Sequence, residues 1–324
     1  IIGCGRIAGR HAVQMQKHGK LLAVCDIVPG KADALSSLHN ARPYYSIETL
    51  LQAETGLDLV AICTPNGYHA VHSIKALEAG NHVLCEKPLC IDVKDGKLMI
   101  AAAEKAGKKL FVVKQNRYNP PVAFLKDLLK KGKLGTIYSF QVNCFWNRPA
   151  SYYRDWKGSK ALDGGTLFTQ FSHFIDLLYW LLGDVASVKT IRKNFAHPEI
   201  EFEDTGIVAF EMQSGAIGSL NYTVNSFEKN MEGSFTVFAE NGTVKIGGQY
   251  LNELEYCHVA GIDKPELPAG NPANGYGFYS GSMSNHDKIY DNLAIALRDN
   301  DHEFAGAEDG LKTVEIIQKI YNNL

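Results

Sequence analysis

Short apolar runs separated by amphipathic stretches fill the first third of the chain. Ile1-Ile2, Leu21 to Cys25, Leu57 to Cys63, His82 to Cys85 and Leu110 to Lys114 have the residue types of buried strands. Between them, apolar positions at helical spacing predict helices over about 6–18, 68–79 and 93–106. This βα alternation predicts a parallel, doubly wound sheet over residues 1–118. A helix at about 122–131 bridges to a region where the period drops to two. Thr136 to Trp146 and the stretches 185–195, 203–213, 216–224, 234–239 and 242–246 alternate apolar and polar residues, with Asn241-Gly242 as a hairpin signal. Residues 119–324 are therefore expected to form an α+β domain with an open, mostly antiparallel sheet. Helices would cover one face and leave the other to oligomerise.

Chemistry enters at the strand ends. Gly3-x-Gly5-x-x-Ala8 allows a tight turn, close approach of a pyrophosphate and close helix packing, while the amides around Arg6 and Ile7 point from a helix N-terminus. The first domain is thus expected to be a Rossmann domain. Asp26 ends the next strand at about the 20-residue spacing of a ribose-binding acid. It would repel a 2′-phosphate and Ile27-Val28-Pro29 offers no arginine, so the expected cofactor is NAD rather than NADP. Thr64, Pro65 and Asn66 leave the strand that ends at Cys63 at the same edge, where the nicotinamide half would lie. His69 and His72 have no third ligand nearby, so no metal is expected, and His69 joins the cofactor set. Cys85-Glu86-Lys87-Pro88-Leu89 puts Glu86 and a lysine at the carboxyl edge of the sheet, where open α/β sheets bind ligands.

Composition narrows the class. A length of 324 residues suits two domains, and 45% hydrophobic with 21% charged residues is ordinary for a globular enzyme. A formal net charge of −2 gives no broad attraction to nucleic acid or an anionic membrane. No apolar run reaches the roughly 20 residues of a membrane span and nothing resembles a secretory leader. The chain opens inside an apolar strand, whose first residues are expected to precede Ile1. Seven cysteines without a C-x-x-C pair suit reduced thiols in the cytoplasm.

In the second domain, the loop Phe145 to Gly158 interleaves aromatic rings with Arg148, Arg154 and Lys157, offering faces for a base and forks for phosphates or a carboxylate. Asp163-Gly164-Gly165 then leads into a stretch read as one helix, with Thr169 and His173 one turn apart on one face. His173 becomes a candidate acid or base.

Gly3-x-Gly5-x-x-Ala8, Glu86-Lys87-Pro88, and Asp163-Gly164-Gly165 with His173 and Asp176 together resemble the glucose–fructose oxidoreductase, inositol dehydrogenase and MocA family of NAD(P)-dependent enzymes. Within it, Phe111 to Arg117, Phe145 to Pro149, Tyr152-Tyr153, Trp156 to Gly158, Glu203 to Gly206 and Val244 to Gly248 resemble the sugar-nucleotide dehydrogenases of the WlbA and WbpB type. So do His286 and Tyr290-Asp291-Asn292. The resemblance implies a homotetramer assembled through the open sheet and oxidation of the 3-hydroxyl of UDP-N-acetyl-D-glucosaminuronate for bacterial surface polysaccharide (lipopolysaccharide). It also implies a tightly held NAD re-oxidised by 2-oxoglutarate. In the inositol dehydrogenases an aspartate stands four residues before the motif histidine; here it is Thr169, so a carboxylate–histidine pairing is not carried over.

On this reading His173 is the general base and Lys87 donates a hydrogen bond to the developing alkoxide, or the two roles are exchanged. Gln115, Asn116, Arg117, Arg148 and Tyr153 are candidates for the UDP and uronate groups, with Gln115 also counted toward the cofactor; Thr169, Gln170 and His286 are placed around the sugar. Three alternatives stay open: a dehydrogenase of a free polyol or aldose, an NAD-dependent glycosidase, and a non-catalytic NAD-binding regulator.

Overall fold

The computed structural model describes residues 1–277, 279–299, 302 and 304–323. It forms two compact units that interleave along the chain. Ile1–Lys114, Ala161–Gly164 and His286–Val314 make the first; Gln115–Lys160, Gly165–Asn285 and Glu315–Leu324 make the second. A single boundary at 118/119 does not describe the two returns of the chain, at 161 and at 286.

The first unit is a parallel sheet with helices between its strands. Ile2 bridges in parallel to Cys25 on one side and to Ile62 on the other. Around it run Arg42–Tyr44 and Ala23–Cys25 on one flank and Leu59–Ile62, His82–Cys85 and Leu110–Val112 on the other. The order in which strands are added therefore reverses at Ile2, the switch point where doubly wound sheets bind ligands. The strands are buried on both faces, hence their unbroken apolar runs. Arg42–Tyr44 escaped the sequence reading: it is an edge strand with Pro43 at its centre and two exposed residues.

The second unit is built on a seven-stranded sheet in the order Glu253–Val259, Gly242–Gly247, Glu232–Ala239, Ile137–Phe145, Ile217–Thr223, Thr205–Met212, Val185–Lys193. Every neighbouring pair is antiparallel except Ile137–Phe145 with Ile217–Thr223. One face buries Phe140, Val142, Phe210, Leu220, Tyr222, Phe235 and Ile246. The opposite face leaves Ile191, Ile207, Ile217, Phe238 and Tyr256 exposed, and Ile191 pairs across strands with Ile207.

The stretch after Gly165 is not the single helix expected. It forms Thr166–Thr169 and Ser172–Leu182, broken at Phe171. The Phe171 ring is fully buried against Trp146, Phe174 and Tyr222, and burying it there outweighs a continuous helical ladder. Thr169 and His173 thus lie on separate helices.

Candidate active site

In the first unit the glycine turn is fixed by geometry. Gly3 has φ +90°, and a Cβ on it would meet the Cys63 carbonyl carbon at 2.6 Å, so no other residue fits. A Cβ on Gly5 would meet nothing within 4 Å, which leaves open space at the start of helix Ala8–His18, whose N-terminus no side chain caps. Arg6 is exposed and Ile7 half-buried beside that space. Asp26 accepts hydrogen bonds from the Cys4 amide at one oxygen and the Val28 amide at the other, both 2.9 Å, so its carboxylate is aimed by the backbone around it. An open cradle, an uncapped helix start and an oriented acid fit a dinucleotide with a free ribose.

The neighbouring loops are cross-braced. Both ring nitrogens of buried His69 face carbonyl oxygens, Pro88 at 2.6 Å and Thr64 at 2.9 Å. Burial, opposed by those carbonyls, pushes His69 below its ordinary pKa. The ring ties the loop after Ile62 to the loop after Cys85, a different employment from the cofactor contact expected of it. His72 binds the Thr64 hydroxyl at 3.1 Å, and burial lowers its pKa to about 4. Asn66 donates to the Asp163 carbonyl at 2.8 Å, the Gly67 amide to that of Leu162 at 2.9 Å. A Cβ on Gly67 would meet the Ala161 carbonyl oxygen at 2.3 Å, so the returning segment 161–164 lies directly on the Pro65–Gly67 turn. Lys87 is half-buried, and the Lys87–Pro88 peptide is cis. Glu86 accepts from His11 Nε2 at 2.9 Å and His286 Nε2 at 3.2 Å. His286, expected beside the sugar, is thus bonded to Glu86 within the first unit.

In the second unit Gln115 and Asn116 are buried, and Gln115 Oε1 and Asn116 Oδ1 have no hydrogen-bond partner among the described residues. Unpaired buried oxygens of this kind await a donor. Asn285 holds their backbone, donating to the Gln115 carbonyl and to Asn119 Oδ1. Arg117, expected on the substrate, forks onto Asp176 through Nε at 2.9 Å and an Nη at 2.8 Å, and its guanidinium stacks over Trp180. Arg148 is 2% exposed and enclosed by the rings of Trp146, Tyr152 and Tyr279. Its Nε donates to Gln170 Oε1 at 2.7 Å and one Nη to Asn230 Oδ1 at 3.2 Å, while Gln170 in turn donates to the Tyr152 hydroxyl. Two of the expected cationic forks therefore shape the wall around Gln170 and the helix of His173 from within the protein. Tyr153 and His173 are buried and Thr169 half-buried.

Sequence reasoning missed His11, Asn230 and Asn285, and read Tyr152 only as part of the aromatic loop. Only His11 left a trace, a histidine on the apolar face of the first helix between Ala8 and Ala12, where a buried polar ring needs a partner.

Two family profiles match the chain. Residues 1–114 match "Oxidoreductase family, NAD-binding Rossmann fold" and residues 122–245 match "GFO/IDH/MocA C-terminal domain". Among solved structures, the chain is similar over 99% of its length to the WlbA dehydrogenase from Bordetella pertussis in complex with NADH and UDP-GlcNAcA, at 35% identity, 94% of that chain and a TM-score of 0.88. It is also similar over 99% of its length to WlbA from Chromobacterium violaceum with the same two ligands, at 37% identity, 91% of that chain and a TM-score of 0.89. The curated glucose-6-phosphate 3-dehydrogenase of Bacillus subtilis strain 168 is 30% identical over 198 residues, 59% of this chain. The chain spans little more than half the length of the first curated relatives it matches, 55% and 59%.

Proposed function

The chain belongs to the GFO/IDH/MocA family of oxidoreductases, and from that membership we propose that it is an NAD-dependent dehydrogenase oxidising the 3-hydroxyl of UDP-N-acetyl-D-glucosaminuronate to the 3-keto sugar. The observation that carries this reading is the likeness along 99% of the chain to two WlbA structures that hold NADH and UDP-GlcNAcA. The partial likeness to a glucose-6-phosphate 3-dehydrogenase supports chemistry at sugar position 3. The Gly3–Ala8 turn, Asp26, Thr64, Pro65 and Asn66 hold the dinucleotide, which supplies the hydride acceptor when bound. Removing a hydride from the carbinol carbon leaves a protonated carbonyl unless the hydroxyl proton also departs, so a base is needed at that oxygen, with a hydrogen-bond donor to steady the alkoxide charge that builds as the proton leaves. His173 takes the proton and Lys87 stabilises the developing charge. The unpaired oxygens of Gln115 and Asn116 accept from cofactor or substrate, while Tyr153, Thr169 and Gln170 bound the sugar and Arg148 holds Gln170 in place.

The exposed apolar face of the seven-stranded sheet is the surface for a homotetramer. No helix among the described residues is long and apolar enough to cross a membrane. The proposed reaction is a step in surface polysaccharide synthesis, placed in the cytoplasm.

The test is incubation of purified protein with UDP-N-acetylglucosaminuronate and NAD, with and without 2-oxoglutarate, read by NADH absorbance, 2-hydroxyglutarate formation and a mass spectrum of the nucleotide sugar. A dehydrogenated UDP-sugar is expected, together with losses of about 10²–10⁴ in kcat for Lys87→Ala and for His173→Ala. Higher kcat/KM on inositol or glucose 6-phosphate than on the UDP-sugar would overturn the substrate, and wild-type turnover by both variants would overturn the mechanism.

A further inference from the structure

The first unit contains a buried polar cluster that cofactor recognition does not require. His11 comes from helix Ala8–His18, Glu86 follows strand His82–Cys85, and His286 and Tyr290 stand one turn apart on helix His286–Ala296. His11 is 0%, Glu86 7% and His286 2% exposed. A carboxylate only accepts, so the two imidazole Nε2 atoms that meet Glu86 Oε1 both carry hydrogen. In neutral His11, Nδ1 is then a bare acceptor, and the Tyr290 hydroxyl at 2.8 Å donates to it. The other carboxylate oxygen, Oε2, accepts the amide hydrogen of Lys87 at 3.1 Å. The hydrogen bonds run from Tyr290 through His11, and from His286, onto Glu86, and Glu86 in turn holds the backbone amide of the lysine.

We propose that His11, His286 and Tyr290 are positioning residues that clamp the Glu86 carboxylate, and that Glu86 through the Lys87 amide sets where the catalytic lysine stands. This rests on the reading of Lys87 as catalytic. Burial works against a charge on Glu86, yet the donors from His11 and His286 outweigh it and hold the carboxyl well below its usual range. Burial also lowers His11, which keeps that ring neutral. The other ionisable groups that sense Glu86 are Cys63 and Cys85, whose thiols burial pushes up, His69, and the Tyr290 phenol. A fixed anion one residue from Lys87 favours its ammonium form.

The experiment compares wild type, Glu86→Gln, Tyr290→Phe and Lys87→Ala by kcat, KM for the UDP-sugar, pH–rate profile and melting temperature. Glu86→Gln should lower kcat by about tenfold to a hundredfold, as displacement of a reacting group does, with KM changed less than about threefold. Its lysine-governed limb should move to lower pH, because loss of the anion makes the ammonium easier to deprotonate. Tyr290→Phe, which removes only the outer hydroxyl, should shift both quantities in the same sense by a smaller amount, and it carries the test if Glu86→Gln does not fold. Wild-type kcat and pH limb in the folded variants, with Lys87→Ala inactive, would overturn the clamp alone; an active Lys87→Ala would overturn the functional reading instead. The ligand atoms of His11, Glu86 and His286 also lie within 4.8 Å of one another, a spacing that a transition metal accepts. One equivalent of zinc retained by protein purified without added metal would likewise overturn the clamp.

Discussion

Two buried glutamates, one in each unit, are pushed in opposite directions from the ordinary carboxylate range. Glu86 is 7% and Glu203 6% exposed, and each accepts from two side chains at one oxygen. Burial drives Glu203 above the usual carboxylate range, and the hydroxyls of Tyr222 and Tyr321 do not reverse it. Burial opposes the charge on Glu86 as well, but its imidazole donors hold it far below that range. Burial alone therefore does not decide which way an interior acid is shifted; the donors do. The placement follows the chemistry. Glu86 adjoins the lysine proposed to meet substrate, while the Glu203 carbonyl accepts from Thr166 and its carboxyl bonds the last helix through Tyr321, a joint in a scaffold.

The sharpest way to break this comparison is to remove the acid from each place. Glu203→Gln replaces a carboxyl that burial biases toward its neutral form by a neutral amide, so kcat should change by less than about twofold, against the tenfold or greater loss of Glu86→Gln. Equal losses, measured on protein with unchanged melting temperature, would mean that both acids serve catalysis. A second test concerns the charge-paired acid of the second unit. Arg117 forks onto Asp176, with side-chain exposures of 10% and 3%. Arg117→Ala would remove both guanidinium bonds from a buried carboxylate and should cost about 3–5 kcal/mol in urea unfolding. A loss below about 1 kcal/mol, with KM raised instead, would return Arg117 to the substrate role that its sequence neighbourhood suggested. Smaller still is Tyr321→Phe, expected to lower stability by about 1 kcal/mol and leave kcat unchanged.

The two units were also unequally legible. In the first, alternation of apolar runs, Gly3, Gly5 and Asp26 state the fold and cofactor class directly, because strands buried on both faces tolerate few polar residues and a close approach of backbones tolerates only glycine. In the second, the period-two runs located the strands, but Glu253–Val259, with only Val259 fully buried, went unread. Side-chain forks were least legible. The loop 145–157 shows Arg148 beside aromatic rings, yet no local pattern says that Asn230 and Gln170 already occupy it, since those partners lie far along the chain. The break at Phe171 was hidden for the same reason: the Trp146 and Tyr222 rings that bury it arrive from distant strands.

The smallest expected effect separates the units by pH. His11, His69, His72 and His82, all in the first unit, are pushed below the ordinary histidine range, chiefly by burial, His72 to about 4. Each holds a proton less readily in the fold than in the unfolded chain, so once pH falls below about 6.5 the unfolded state binds more protons and first-unit stability declines with acid. Glu203 runs the other way: with its folded pKa raised, its contribution is complete below its unfolded value and is lost as pH rises. The three tryptophans, Trp146, Trp156 and Trp180, all belong to the second unit. Their fluorescence therefore reports that unit, whereas far-ultraviolet circular dichroism reports both. In urea titrations at about pH 7.5 and about pH 5, the dichroism midpoint should fall further than the fluorescence midpoint on going to acid. Midpoints that fall together would show either that the units unfold as one or that the buried imidazoles do not carry the acid sensitivity. The histidine variants His72→Gln and His82→Gln would then separate those outcomes: they flatten the pH dependence of both probes only if the imidazoles carry it.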